Sequence, residues 1–173
     1  DWASETALAS RVLALQPDAF KAVVAEAVGA FKENLFAKSI EFEFDDTFLH
    51  VLPTVLPSTI VPKFRRKQLA SGRLSETDMP AAQGHQIYQD YVAGIALGVA
   101  NSMLRLLPIA EVYVTCKSEM LNTKTGHMEV LPILSGRFVR ATMMKLNLEA
   151  IDASDAIANF NHAMSFKRAG GFS

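Results

Sequence analysis

A run of strand-forming residues that is closed by two prolines constrains this fold more than any other feature of the chain. The run extends from Ile40 to Val55, and Pro57 and Pro62 follow it. Because proline has no backbone N–H to contribute to a strand ladder, the pair ends the sheet and leaves an extended connection. The basic block Lys63-Phe-Arg-Arg-Lys67 comes directly afterwards. The sequence therefore predicts a hairpin, a fixed exit from the sheet and then a cationic surface segment.

Period-two alternation supports the hairpin. From Ile40 to Asp45 apolar and acidic residues alternate, which is typical of a half-buried strand; Asp45-Asp46 then provides a turn and Phe48 to Leu52 the return strand. The acidic side chains could be considered as a metal site, but the alternation favours the solvated face of a strand. This acidic group consists of Glu41, Glu43, Asp45 and Asp46.

A long apolar stretch predicts a central helix that begins near Ala81 and ends at Leu107, where Pro108 stops it. Its polar interruptions favour a buried helix over a membrane span. Two helices are expected before it, over 4–15 and 17–36, and strands with turn residues between them are expected from Val112 to Val139. A last helix is predicted to begin at Asp152 or Ser154 and to continue through Ala163.

These elements predict an α+β class domain with two antiparallel β-hairpins packed around a long central apolar helix, and with flanking N- and C-terminal helices. At 173 residues, half of them apolar, the chain is expected to form one domain. The start at Asp1 suggests a fragment of a longer protein. The predicted parts are a helical lead-in (1–36), a first hairpin (37–62), a basic loop (63–80), the central helix (81–107), a second hairpin (109–148) and a C-terminal helix (152–165).

The motif search gives no catalytic residues, no metal ligands and no cofactor site. The four histidines and the single cysteine, Cys116, lack the close spacing of zinc ligands, and no Gly-x-Ser-x-Gly elbow or phosphate-binding glycine loop occurs. No Glu or Gln is followed two positions later by Lys or Arg, as metal-dependent nucleases of the restriction type require. We expect a non-enzyme, with an enzyme site assembled from distant residues as the alternative. A single cysteine and the absence of a signal peptide favour the cytoplasm.

The basic segment is the candidate binding site. With a net charge of −1 the whole molecule does not attract polyanions, so nucleic-acid binding would depend on a local patch that grips phosphates without reading bases. The competing interpretation is a solvated loop. The candidate nucleic-acid-binding residues are Lys63, Arg65, Arg66, Lys67 and Arg73, with Arg137 and Arg140 as a second small cluster.

Several short motifs, taken in order, resemble a domain of bacterial restriction-system proteins, the region N-terminal to Mrr-type restriction endonuclease modules. They cover roughly residues 17 to 165. The matching motifs are Glu41-Phe-Glu-Phe-Asp45, Leu56-Pro57 with Val61-Pro62, Tyr88 at the start of an Ala-rich helix, Lys124-Thr-Gly126, Pro132-Ile-Leu-Ser135 followed by Arg140, and Leu146-Asn-Leu148 ahead of Asp152. The chain departs from the family at Gly98, where an arginine is usual, and at Val139-Arg140-Ala141, where the family has a Thr-Arg-acidic run.

The resemblance implies an accessory module, a sensor or scaffold, beside a fused or neighbouring nuclease in restriction or anti-phage defence. It transfers no catalytic residue. We expect a protein partner or self-association before nucleic acid, because the net charge lacks the basic excess of DNA-binding domains. No membrane association is expected.

Overall fold

The computed structural model describes residues 2–14, 16–34, 37–45 and 48–173, and its mixture of helix and strand with several antiparallel hairpins confirms the α+β class. The helices are α1 (Trp2–Leu13), α2 (Pro17–Asn34), α3 (Ala81–Leu106), α4 (Arg140–Met143) and α5 (Ala153–Ala156). The strands are β1 (Ala37–Asp45), β2 (Phe48–Val55), β3 (Phe64–Gln68), β4 (Leu74–Asp78), β5 (Glu111–Asn122), β6 (His127–Val139), β7 (Asn161–Met164), β8 (Phe166–Lys167) and β9 (Gly171–Phe172).

Five strands form one sheet in the order β1-β2-β5-β6-β7. The hairpins β1–β2 and β5–β6 are antiparallel, but β2 and β5 lie side by side in parallel, with His50 opposite Tyr113 and Thr54 opposite Lys117. A parallel pair needs a crossover connection, and α3 provides it. The sequence predicted both hairpins and the helix but not the parallel contact that joins them. Between Cys116 and Lys117 the register shifts by one residue of β6, next to Pro132.

Helix α3 packs against one face of this sheet and forms the centre of the core. Ten of its 26 residues are buried, and it contacts β2, β5, β6 and α5. Small residues allow the strands to approach closely: the Cys116 Sγ lies 3.8 Å from the Val92 carbonyl oxygen. Burial raises the pKa of the Cys116 thiol to about 12, so this cysteine is an inert core residue at neutral pH.

Helices α1 and α2 cover the β1 end of the molecule. Phe20 of α2 stacks on Phe44 of β1 with the ring centroids 5.2 Å apart. In α1 only Val12 is buried. The predicted ends of the first two helices at Leu15 and Phe36, and the turn residue Asp46, lie outside the described residues. Within the described part of the chain, no helix is both long and apolar enough to cross a membrane.

The basic loop predicted over 63–80 is instead a two-stranded β-ribbon. Strands β3 and β4 pair antiparallel from Phe64 opposite Asp78 to Gln68 opposite Leu74, and they form a small sheet of their own. Gly72, at φ 80°, supplies the left-handed conformation that the turn needs. The ribbon could not be predicted from sequence periodicity because neither of its faces is buried. Apolar and polar residues therefore do not alternate along its strands.

The predicted C-terminal helix (152–165) is wrong beyond its first turn. Asp152 does cap α5, accepting a hydrogen bond from the Asp155 amide at 3.1 Å, and Ile157 and Phe160 are buried. After a 3₁₀ turn at Ile157–Asn159, however, the chain becomes β7 and pairs with β6. Asparagines at 159 and 161 are weak helix formers, and pairing with β6 satisfies that strand's free backbone groups.

Candidate functional site

The β3–β4 ribbon is exposed along nearly its whole length, and its root is fixed. Nine of its ten strand residues are exposed, and Ser75 is half-buried. At the tip, Leu69 N–H donates to the Arg73 carbonyl at 2.8 Å; at the root, Met79 N–H donates to the Lys63 carbonyl at 2.8 Å. An isolated two-stranded hairpin is marginally stable in water, so attachment to α3 at Pro80 and to β2 through the proline connection holds its position.

The two faces of the ribbon differ in charge because cross-strand partners share a face. One face, which we call the cation–hydroxyl face, sets Arg65 opposite Thr77 and Lys67 opposite Ser75. The Arg65 Nε lies 3.3 Å from Thr77 Oγ1. Among the described residues, no carboxylate forms an ion pair with either cation, nor with Lys63 or Arg73.

The opposite face has no excess of positive charge, because it carries one cation and two carboxylates. Arg66 forms an ion pair with Glu76 at 3.0 Å, and its guanidinium lies 5.1 Å from the centroid of the Phe64 ring. Phe64 is in turn paired with Asp78. Arg66 therefore belongs to the predicted basic group in sequence, but its charge is already matched within the ribbon.

The second predicted cluster does not join the ribbon. Arg137 on β6 donates to Glu111, and this hydrogen bond lowers the pKa of the Glu111 carboxyl. Arg140 donates to the carbonyls of Ile109 and Leu107, beyond the C-terminal end of α3. The ribbon leaves from the other end of this helix, which at 26 residues is about 39 Å long. The structure thus brings the five cations of the segment 63–73 together and separates Arg140 from them.

The face of the sheet opposite α3 is exposed, and we call it the open face. Ion pairs join β1 to β5 on this face: Glu41 of β1 pairs with Lys117 of β5 at 2.7 Å, and Lys38 of β1 pairs with Glu119 of β5 at 3.0 Å. Among the described residues, no three His, Cys, Asp or Glu side chains converge as a metal site would require.

A line of polar side chains crosses the open face from β1 to β6. The His50 Nδ1 lies 3.9 Å from Glu43 Oε2, beyond hydrogen-bond distance. The His50 Nε2 lies 2.9 Å from Thr115 Oγ1, which in turn is 3.0 Å from Ser135 Oγ. His50, Thr115 and Ser135 border a groove of about 630 Å³ that was not predicted. His50 and Thr115 are 65 residues apart in the sequence, and the parallel β2–β5 pairing brings them into contact.

A comparison with known proteins finds no matching family model, no matching curated protein and no matching solved structure.

Proposed function

We propose that this domain is an accessory binding module and that its cation–hydroxyl face grips the phosphate backbone of a nucleic acid. The observation that carries the proposal is the exposed pairing of Arg65 with Thr77 and of Lys67 with Ser75, without a carboxylate partner among the described residues. Guanidinium, ammonium and hydroxyl groups are the side chains that contact phosphate oxygens in nucleic-acid complexes.

The ribbon provides a shape that a loop would not. A two-stranded β-ribbon is narrow enough to lie in or along the major groove of duplex DNA. Its cations are fixed at strand spacing rather than spread along a random chain, so less ordering entropy is lost on binding. The Arg65 guanidinium is already engaged by Thr77 Oγ1 at 3.3 Å and by Gln83 Oε1 at 3.5 Å, which hinders a bidentate contact with guanine. We therefore expect binding that does not depend on base sequence.

The experiment measures how affinity for duplex DNA depends on salt. Four cations form no ion pair among the described residues: Lys63, Arg65, Lys67 and Arg73. They would give a log–log salt slope of about −3 to −4 if each neutralises one phosphate. The double substitution Arg65→Ala and Lys67→Ala should flatten the slope by about 2 and weaken binding equally for unrelated DNA sequences.

The matched control removes the ion pair of the opposite face. Arg66→Ala with Glu76→Ala leaves the net charge unchanged, and we expect the salt slope of the parent protein. If the parent does not bind at low salt, or if both double variants change the slope alike, the cation–hydroxyl face is not the contact surface.

The biological setting is proposed on the resemblance alone. We propose that the domain serves as a sensor or scaffold in a restriction or anti-phage system, near a nuclease module. Reading the full-length open reading frame and its neighbouring genes tests this setting. A metabolic operon without a nuclease, ATPase or defence gene would contradict it, and would leave the salt-slope experiment unaffected.

A protein partner, or a second copy of the chain, is the second candidate. The pairing of β2 with β5 ends at Lys117, so the hairpin formed by β5 and β6 projects beyond it. Its tip exposes apolar side chains, among them Leu121 and Met128, which are cross-strand partners at 56% and 64% exposure. Light scattering at high micromolar concentration tests self-association; a strict monomer would remove the homodimer form of this proposal.

A further inference from the structure

The groove on the open face has the size and lining of a ligand site that is separate from the ribbon. Its volume of about 630 Å³ lies within the range of small-molecule pockets. None of the ribbon residues borders it. Its wall and floor include Phe48, His50, Tyr113, Thr115, Ser135 and Asn161.

Two aromatic rings form the wall. Phe48 and Tyr113 meet edge to face, with ring centroids 5.7 Å apart and planes at 72°. The Tyr113 hydroxyl donates to Glu111 at 3.2 Å, which restricts the orientation of its ring. Phe48 remains 40% exposed, although it begins a strand whose alternate residues are buried. An exposed ring beside a fixed one offers a flat surface on which another ring can stack.

The floor presents a small number of oriented polar atoms. The Thr115 hydroxyl lies within hydrogen-bond distance of both the His50 Nε2 and the Ser135 hydroxyl. The Ser135 hydroxyl, at the end of this line, has both an O–H donor and an acceptor oxygen. Asn161, opposite Arg137 on β7, adds an amide with both a donor and an acceptor.

The charges around the groove favour a neutral ligand. Arg137, the one arginine that borders it, is engaged by Glu111 at 2.9 Å, so it does not offer a free cation to a phosphate. Glu43 stands beside His50 and would repel an anion. Few unengaged polar groups next to an aromatic wall suit a planar ring with a short polar edge better than a polyhydroxylated sugar.

We propose that the open-face groove binds a neutral, planar heteroaromatic ring of the nucleobase or nucleoside class, stacked on Phe48 and hydrogen-bonded by Ser135 and Asn161. The proposal does not rest on phosphate binding by the ribbon, and either can fail without the other.

The test is a titration of the isotope-labelled protein with adenosine and with uridine, followed by ¹H–¹⁵N NMR spectra. We expect saturable shifts confined to β2, β5, β6 and β7. Phe48→Ala should lower the affinity for the nucleoside about tenfold, as the loss of one stacking partner does. Asn161→Ala should also lower this affinity. Phe64→Ala is the matched control, since Phe64 is equally exposed at 40% but lies outside the groove, and it should leave the affinity unchanged.

Adenosine 5′-monophosphate distinguishes the proposed class from an anion site. It should bind no more tightly than adenosine. Tenfold tighter binding of the monophosphate, the absence of shifts at millimolar nucleoside, or unchanged affinity in the spectroscopically folded Phe48→Ala variant would each overturn the proposal.

Discussion

At the scale of single residues, two tyrosines fix the point where the chain leaves the sheet. The Tyr88 hydroxyl donates to the Leu56 carbonyl at 2.8 Å, and the Leu56 N–H donates to the Tyr91 hydroxyl at 3.0 Å. Tyr88 also contacts the buried Ser118 hydroxyl at 2.9 Å. Both phenols thus hold the backbone of Leu56 just before Pro57, which orients the connection to the ribbon.

Tyr88→Phe should lower the free energy of unfolding by about 1–2 kcal/mol, because the Leu56 carbonyl and the Ser118 hydroxyl lose a buried partner. Urea denaturation measures this loss. Tyr113→Phe, which removes a hydroxyl from the solvated face, is the control and should cost less. Equal losses in the two variants would contradict a special role for the Leu56 contact.

The stability that Tyr88 and Tyr91 contribute should decrease at alkaline pH. Burial raises the pKa of Tyr88 and of Tyr91 above the ordinary value of 10. A group whose pKa is higher in the folded state contributes stability below its unfolded pKa and loses that contribution as the pH rises through the folded value. Stability should therefore fall above about pH 10, and in Tyr88→Phe it should fall less steeply.

At the scale of elements, the ribbon is an appendage to the core. Replacing residues 64–78 by a short flexible linker should remove DNA binding and leave the melting temperature within a few degrees of the parent, because its strand residues bury almost nothing. Thermal unfolding followed by circular dichroism measures this. A large drop in melting temperature would show that the ribbon supports the root at Met79 and Pro80.

The first hairpin and the central helix could be predicted because each has a buried face. The alternation from Ile40 to Asp45 and the apolar stretch from Ala81 to Leu107 each identify an element because one side of it is buried in the core. The ribbon has no buried side, and β7 depends on an edge that β6 supplies from elsewhere in the chain. The basic residues could be named from sequence, but the sequence could not show that Arg66 lies on the face with the carboxylates and Arg65 and Lys67 on the cation–hydroxyl face.

At the scale of the whole molecule, the protection of backbone amides against hydrogen exchange should rise from the periphery of the sheet to its centre. Strand β5 is paired on both sides and lies against α3, whereas α1 buries only Val12. Native-state hydrogen exchange should therefore find the slowest amides in β5 and α3 and fast exchange in α1 and the ribbon. Slow exchange in α1 would instead indicate that it folds as one unit with the core.

The parallel contact between β2 and β5 also constrains the order in which the elements form during folding. The strands are separated by residues 56–110, which include the ribbon and α3, so their pairing is a distant contact that closes a long loop. The two hairpins and the helix can form from near neighbours, while the parallel pairing must wait for the crossover. Loop-closure entropy varies only slowly with length, so excising the ribbon would speed folding by less than about twofold. The intervening segment can thus carry a binding arm at little kinetic cost.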